Sequence, residues 1–359
     1  MKKCFFPFVM LVTAAICCVQ VTAAKPAVKP RVFVNPGHGG LDSNDRPCPF
    51  YCYGMGDTVP YFESVSNLHK GHALTDILQR KGYETATSRV TNNTEDDLDL
   101  FEIMSLAANS GADLFFAIHS NATGIQRSMN APLALYRGFT GQPTVEGNDV
   151  IAQLMMDALG GNGATQWSSK PEISGDWTFY DWGYKVGLGV LRYNKLPGML
   201  CEGSFHDYIA ERCRLENPDY CWLEAWNQSC AMDKYFNHTP KIQLGCIAGL
   251  LRGSETSPYK ADGYQLYDSD NQRGKNAFEV ELFDAEKKLV ATYTTDNYDN
   301  GFYLFKNLKL GLYYLYYGGQ YHEVTVKANE VSYLGFTDFV DVDDFDGPPL
   351  RKKKPTKPE

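Results

Sequence analysis

Four residues in this 359-residue chain are of types that carry out hydrolytic chemistry, and each stands where a chain tends to expose such groups. His38 follows Arg31 to Val34, a short apolar stretch ended by Pro36-Gly37 that reads as a strand. His119 follows Ala112 to Ile118, a near-continuous apolar run of strand length, as in a strand covered on both faces. Glu202 closes the apolar run Gly198-Met-Leu-Cys201, and Glu63 opens a segment with helical periodicity. Ligand sites in open α/β sheets lie beyond the carboxyl ends of the strands, so the four can converge on one sheet edge. Two neutral imidazoles and one carboxylate form a common catalytic zinc set, with a fourth position left for water. Zinc lowers the pKa of that water from about 15.7 to about 7. A second carboxylate can then take the water's proton and deliver it to a leaving amine. The bland reading is that a histidine beside a turn is a solvated polar group, and that a glutamate at a helix start complements the positive helix end. No H-E-x-x-H motif is present, which excludes a helix-borne zincin. Spacing alone leaves the metal reading and the bland one evenly matched.

The elements that must hold these groups alternate in the α/β manner. A helix is expected from Glu63 to Arg80, with the apolar stripe Leu68, Gly71, Leu74 and Leu78, stopped by Lys81-Gly82. His69 and His72 lie off that stripe and read as flanking residues. Strands are expected at Tyr83–Arg89 and Gly187–Tyr193, helices at Leu98–Ser110 and Asn148–Leu159, and a helical region from Tyr208 to Phe236. The loop from Gly163 to Lys185 is rich in Trp and Tyr and suits a substrate wall. Beyond about Ser254 the composition shifts. Phe278, Val280 and Leu282 alternate, and Asn300-Gly301 signals a hairpin, so a small antiparallel all-β domain able to fold by itself is expected. It holds no convergent acid/base group; its aromatic run, Tyr313 to Tyr317, could stack on glycan, but a structural spacer is the favoured reading. The expected layout is a signal peptide at 1–24, a catalytic unit at 30–240, a linker at 241–271, the β domain at 272–338 and a disordered tail at 339–359.

The formal charge of −9 argues against nucleic acid as a partner. Met1-Lys2-Lys3, the apolar Phe5–Val19 and the small residues Val21-Thr22-Ala23 have the form of an export signal, which implies a periplasmic or cell-envelope protein. Cys17 and Cys18 raise lipidation as a lesser option, in a poor context. No later stretch is long and apolar enough to span a bilayer. Export permits disulfides. Cys48, Cys52, Cys201, Cys213, Cys221, Cys230 and Cys246 form an odd set. A Cys48–Cys52 bridge and bridging within the late cluster are expected, with Cys201 free as a small buried hydrophobe. The sequons at Asn92, Asn121, Asn227 and Asn237 read as chance matches.

Taken together, Val34-Asn-Pro-Gly-His38-Gly-Gly-Leu-Asp42, Glu63-x-x-x-Asn67-Leu68, Asp113 to Ala122 with His119-Ser-Asn121, and Leu191-Arg192 with Leu196 to Phe205 resemble the zinc-dependent N-acetylmuramoyl-L-alanine amidases of the third amidase family. The match runs in order over about residues 31 to 236. It implies a mixed open sheet flanked by helices, zinc on His38, Glu63 and His119, and Glu202 as the catalytic carboxylate. The implied reaction is hydrolysis of the amide joining muramic acid to L-Ala in peptidoglycan. Asn121, Asp42 and Arg192 are read as substrate-binding candidates. Three departures bear on substrate preference: Cys201 for an aliphatic residue, His206-Asp207 for a Leu-x-Asn continuation, and a longer loop around Cys48–Cys52. The C-terminal part resembles carboxypeptidase-regulatory-like β-sandwich modules through Thr294-Thr-Asp296 and Gly301 to Tyr313. Two further readings are a zinc peptidase cutting within stem peptides and a non-catalytic peptidoglycan-binding protein. A protein activator is left open.

Overall fold

The structure, a computed structural model, describes residues 29–42, 47–48, 61–124 and 128–337. The expected signal segment, the Cys48–Cys52 pairing and the tail lie outside them.

The chain builds β1 (Arg31–Pro36), α1 (Glu63–Lys81), β2 (Glu84–Thr87), α2 (Leu100–Asn109), β3 (Leu114–Asn121), β4 (Leu133–Tyr136), α3 (Asn148–Gly160), β5 (Glu172–Gly175), β6 (Gly198–Phe205), α4 (Ile209–Leu215) and α5 (Pro218–Tyr235). The six strands form one sheet in the order β2-β1-β3-β6-β4-β5. All pairs are parallel except β6 with β4, so the sheet is mixed, as expected. Strand alternation sorts the core. Val32, Val34, Leu114, Phe116, Ile118, Met199 and Cys201 face one way, onto Leu74 and Leu78 of α1, Ile151 and Met155 of α3 and Leu223 of α5. Phe33, Phe115, Ala117 and Leu200 face the other way, onto Met104 and Ala107 of α2 with Val190 and Leu191. By the same alternation His119 and Glu202 point to the α2 side and Ser120 to the α1 side. The strand order reverses between β1 and β3, which is where a crevice opens at carboxyl strand ends.

Two expectations about local structure are corrected. Gly187–Tyr193 is not a strand: Gly189–Arg192 forms one helical turn that buries Val190 and Leu191, and a short apolar run cannot tell these apart by periodicity. Nor is the stretch 241–271 a linker. It holds β7 (Gly245–Leu250) and β8 (Arg252–Thr256). The remaining strands are β9 (Gln272–Gly274), β10 (Glu279–Asp284), β11 (Leu289–Thr294), β12 (Phe302–Leu308), β13 (Gly311–Tyr317), β14 (Gln320–Val326) and β15 (Val331–Tyr333). β7 is the middle strand of a β12-β7-β15 sheet, beside a four-stranded β11-β10-β13-β14 sheet. Its two faces serve two cores. Cys246, Ala248 and Leu250 join the core of the first unit with Phe302 and Leu304, while Ile247 joins Val280, Leu282, Leu315 and Val324. The C-terminal strand-rich region therefore shares a core with the first unit, contrary to the expectation that it is self-contained.

A second layer of the seam is ionic. The fully buried Arg214 of α4 donates to Glu211 Oε2 at 2.8 Å and to Asp270 Oδ1 at 2.8 Å. Arg252 donates to the same Asp270 oxygen at 2.6 Å, and Tyr208 Oη donates to Asp270 Oδ2 at 3.0 Å. The cysteine expectations divide. Cys201 is free and buried, but so are Cys221, Cys230 and Cys246, which therefore do not bridge to one another.

Candidate active site

Glu63 is the centre of the site. As the first residue of α1 it is buried, and its carboxylate accepts from Ser120 N at 2.9 Å and Asn67 Nδ2 at 2.9 Å. His119 Nδ1 lies 3.1 Å from Oε1, and His38 Nε2 lies 3.2 Å from Oε2. The two imidazoles meet edge to face, with centroids 5.1 Å apart. Burial opposes the Glu63 charge, yet the hydrogen bonds and charges of His119 and His38 hold its carboxyl well below the usual carboxylate range. One donor atom from each of His38, Glu63 and His119 lies within 4.8 Å of the others. Two imidazoles and a carboxylate at that spacing fit a single zinc ion with an open position.

The turn that presents His38 is built for the purpose. His38 has φ 62°, a left-handed conformation uncommon for a residue with a side chain. Gly37 precedes it because a Cβ there would stand 2.1 Å from the His119 ring. Arg89, which sequence reasoning did not single out, clamps this turn to the start of α1. Its guanidinium donates to Pro36 O at 2.9 Å, Gly37 O at 3.0 Å and Ser64 O at 2.7 Å. Under the site, on the α1 face, the buried Lys70 pairs with Glu224 at 2.8 Å and donates to Ser120 Oγ at 2.9 Å.

Glu202 on β6 stands directly opposite His119 in the β3–β6 register. His38, Glu63, His119, Asn121 and Glu202 line one cavity of about 830 Å³. His206 lines it too, a residue noticed in the sequence only as a departure. Its Nδ1 lies 3.0 Å from Ser120 O and 3.9 Å from Glu63 Oε2, and burial pushes its imidazole pKa below the usual value. The one sequence signal for it is its place at the carboxyl end of the strand that carries Glu202. The neighbouring Asp207 accepts from Thr123 N at 2.8 Å and Gly124 N at 2.9 Å, which secures the loop after Asn121. Asp42 and Arg192 do not line the cavity. Asp42 is exposed, and the exposed Arg192 reaches back to Val186 O and Gly187 O at 3.4 Å each.

A family profile described as N-acetylmuramoyl-L-alanine amidase matches residues 32–227, more than half of the chain. The chain belongs to that amidase family. Among curated relatives of this amidase, a sporulation-specific N-acetylmuramoyl-L-alanine amidase of Bacillus subtilis (strain 168) is 22% identical over 232 residues, covering 60% of this chain and 75% of its own. N-acetylmuramoyl-L-alanine amidase CwlM of Bacillus licheniformis is 22% identical over 208 residues, covering 58% and 69%. Among solved structures, an N-acetylmuramoyl-L-alanine amidase from Clostridium difficile 630 aligns at TM-score 0.46 and 21% identity, covering 59% of this chain and 98% of that one. Family membership supports a peptidoglycan amidase, a hydrolase acting on the cell wall. No helix among the described residues is long and apolar enough to cross a membrane.

Proposed function

We propose that this amidase is an exported, zinc-dependent hydrolase that cleaves the amide between the lactyl group of N-acetylmuramic acid and L-Ala of the stem peptide. The observation that carries this reading is the cluster of His38, Glu63 and His119 in the same cavity as Glu202. A zinc ion held by those three residues would polarise the scissile carbonyl and lower the pKa of a water to about 7. The chain's own groups do the rest. Glu63, kept ionised by its two imidazole neighbours, contributes the one negative charge of the ligand set. Ser120 N and Asn67 Nδ2 both donate to Oε1, which orients the carboxylate and leaves Oε2 toward His38. Glu202 accepts a proton from the attacking water and passes it to the leaving nitrogen of L-Ala as the C–N bond breaks. The form of residues 1–24 supports the export part of this reading.

The test is a digest of purified peptidoglycan analysed by mass spectrometry. Free stem peptides beginning with L-Ala are expected, abolished by chelation and restored by zinc. Fragments cut within the stem peptide would make the protein a peptidase, and undiminished release from a metal-free sample would remove zinc from the reading.

A further inference from the structure

The cavity has a second wall that the hydrolytic chemistry leaves unused. It is apolar and aromatic, formed by Tyr180 and Trp182 with Leu100, Ile103, Leu188 and Val190. The Tyr180 and Trp182 rings are stacked, with centroids 4.2 Å apart and planes at 28°, and Phe179 abuts Tyr180 edge-on at 4.9 Å. Trp182 is nevertheless 60% exposed. An indole face left in water forgoes the stabilisation of burial, and a grouped apolar patch beside a cleft marks a binding surface.

The ledge is held ready rather than left to order on binding. Asp176 is fully buried and accepts from Arg137 Nη1 at 2.8 Å, Gly138 N at 3.0 Å and Leu188 N at 2.9 Å. Arg137 also donates to Val186 O at 2.9 Å and Lys185 O at 3.1 Å, and its guanidinium lies over Trp177 at 4.7 Å. One buried ion pair thus ties both ends of the segment carrying Tyr180 and Trp182, which lowers the entropy lost when a ligand arrives.

Charge decides what the ledge takes. Glu63, Asp97, Asp99 and Glu202 line the cavity, and no Lys or Arg does so among the described residues. A stem peptide bearing free carboxylates would find no cationic side chain there. A neutral pyranose meets no such penalty, and its apolar C–H face packs on the electron-rich face of an aromatic ring. We propose that Tyr180 and Trp182 form a saccharide subsite that stacks an N-acetylated pyranose ring of the glycan strand beside the cleavage site. The identity of the glycan rests on the amidase reading above; occupancy of the subsite can be measured without turnover.

The experiment is calorimetric titration of the full-length protein with uncharged N-acetylglucosamine oligosaccharides, and separately with free stem peptide. Trp182→Ala should weaken oligosaccharide binding roughly five- to tenfold and leave stem-peptide affinity unchanged. Trp182→Phe should restore most of the loss. On glycan-linked substrate, KM should rise with kcat retained. Trp182 is exposed, so the variant should keep the wild-type circular dichroism spectrum; Tyr180→Ala gives a second reading of the same ledge. Oligosaccharide affinity that is absent in the wild type, or unchanged in both alanine variants, overturns the subsite. So does a loss confined to stem peptide. If oligosaccharide binding is lost in Trp182→Ala while no stem peptide is ever released from sacculi, the subsite stands and the hydrolytic reading falls.

Discussion

Two buried carboxylates in this protein have opposite uses, and their partners explain why. Glu63 in the cleft and Asp270 at the seam are both almost wholly buried, and in both cases burial opposes the charge while cationic neighbours win and lower the pKa. Asp270 is gripped by Arg214 and Arg252, whose guanidiniums do not release a proton in a protein. That pattern is fixed at any working pH and can only hold structure together. Glu63 is flanked by His38 and His119, whose imidazoles, unlike a guanidinium, have a neutral form with a lone pair to offer a ligand. The same carboxylate chemistry is locked in one place and open to a ligand in the other.

The largest expected break in this contrast is removal of all residues after Thr256. Cys246, Ala248 and Leu250 would lose Phe302 and Leu304, and Arg214 would lose Asp270. The truncated chain should fail to unfold cooperatively and should precipitate on expression. A soluble, fully active fragment would mean that the seam is dispensable. Next, Glu202→Gln should lower the rate by about 10²–10⁴-fold with bound metal and urea midpoint unchanged. Loss of the metal would instead make Glu202 a ligand. Asp270→Asn should do the reverse, costing about 3–5 kcal/mol of stability because two buried guanidiniums lose their counter-charge. The rate per folded molecule should hold, and equal losses of rate and stability in both variants would erase the distinction drawn here.

A finer test uses acid. Arg214 and Arg252 hold the folded Asp270 carboxyl below its ordinary value of about 3.9 against the pull of burial. Between the two values the unfolded chain binds more protons, so stability rises with pH across that window. The contribution is fully present above the unfolded value and is lost as pH falls through the folded one. Urea midpoints measured from about pH 5 down to about pH 3 should decline less steeply in Asp270→Asn than in the wild type; parallel curves would show that Asp270 does not carry this limb. The smallest effects belong to Asp42→Ala and Arg192→Ala, both exposed and outside the cavity lining. Each should change kcat/KM by no more than about twofold. A tenfold loss in either would return that residue to substrate recognition.

Much of the cleft was legible from local sequence. The run Leu114 to Ile118 announced a strand buried on both faces, and His38, His119 and Glu202 were read at carboxyl strand ends because apolar periodicity stops there, although β3 runs on to Asn121 and β6 to Phe205. The helix from Glu63 was read to within a residue of its end, from its apolar spacing and Gly82. Such signals are short-range, since a strand or helix repeats its own pattern. What the tertiary structure alone decided rests on distant partners. β4 and β5 have only four residues each and exist through pairing with neighbours in the sheet. β7 passed for linker because a two-faced apolar strand acquires its meaning only when a second core lies on its other side. Arg214 and Asp270 are 56 residues apart, and Arg89 reaches carbonyls 25, 52 and 53 residues away. His206 likewise became part of the site only when β6 was laid beside β3, for no periodicity in a chain records which buried charge or ring will meet another after folding.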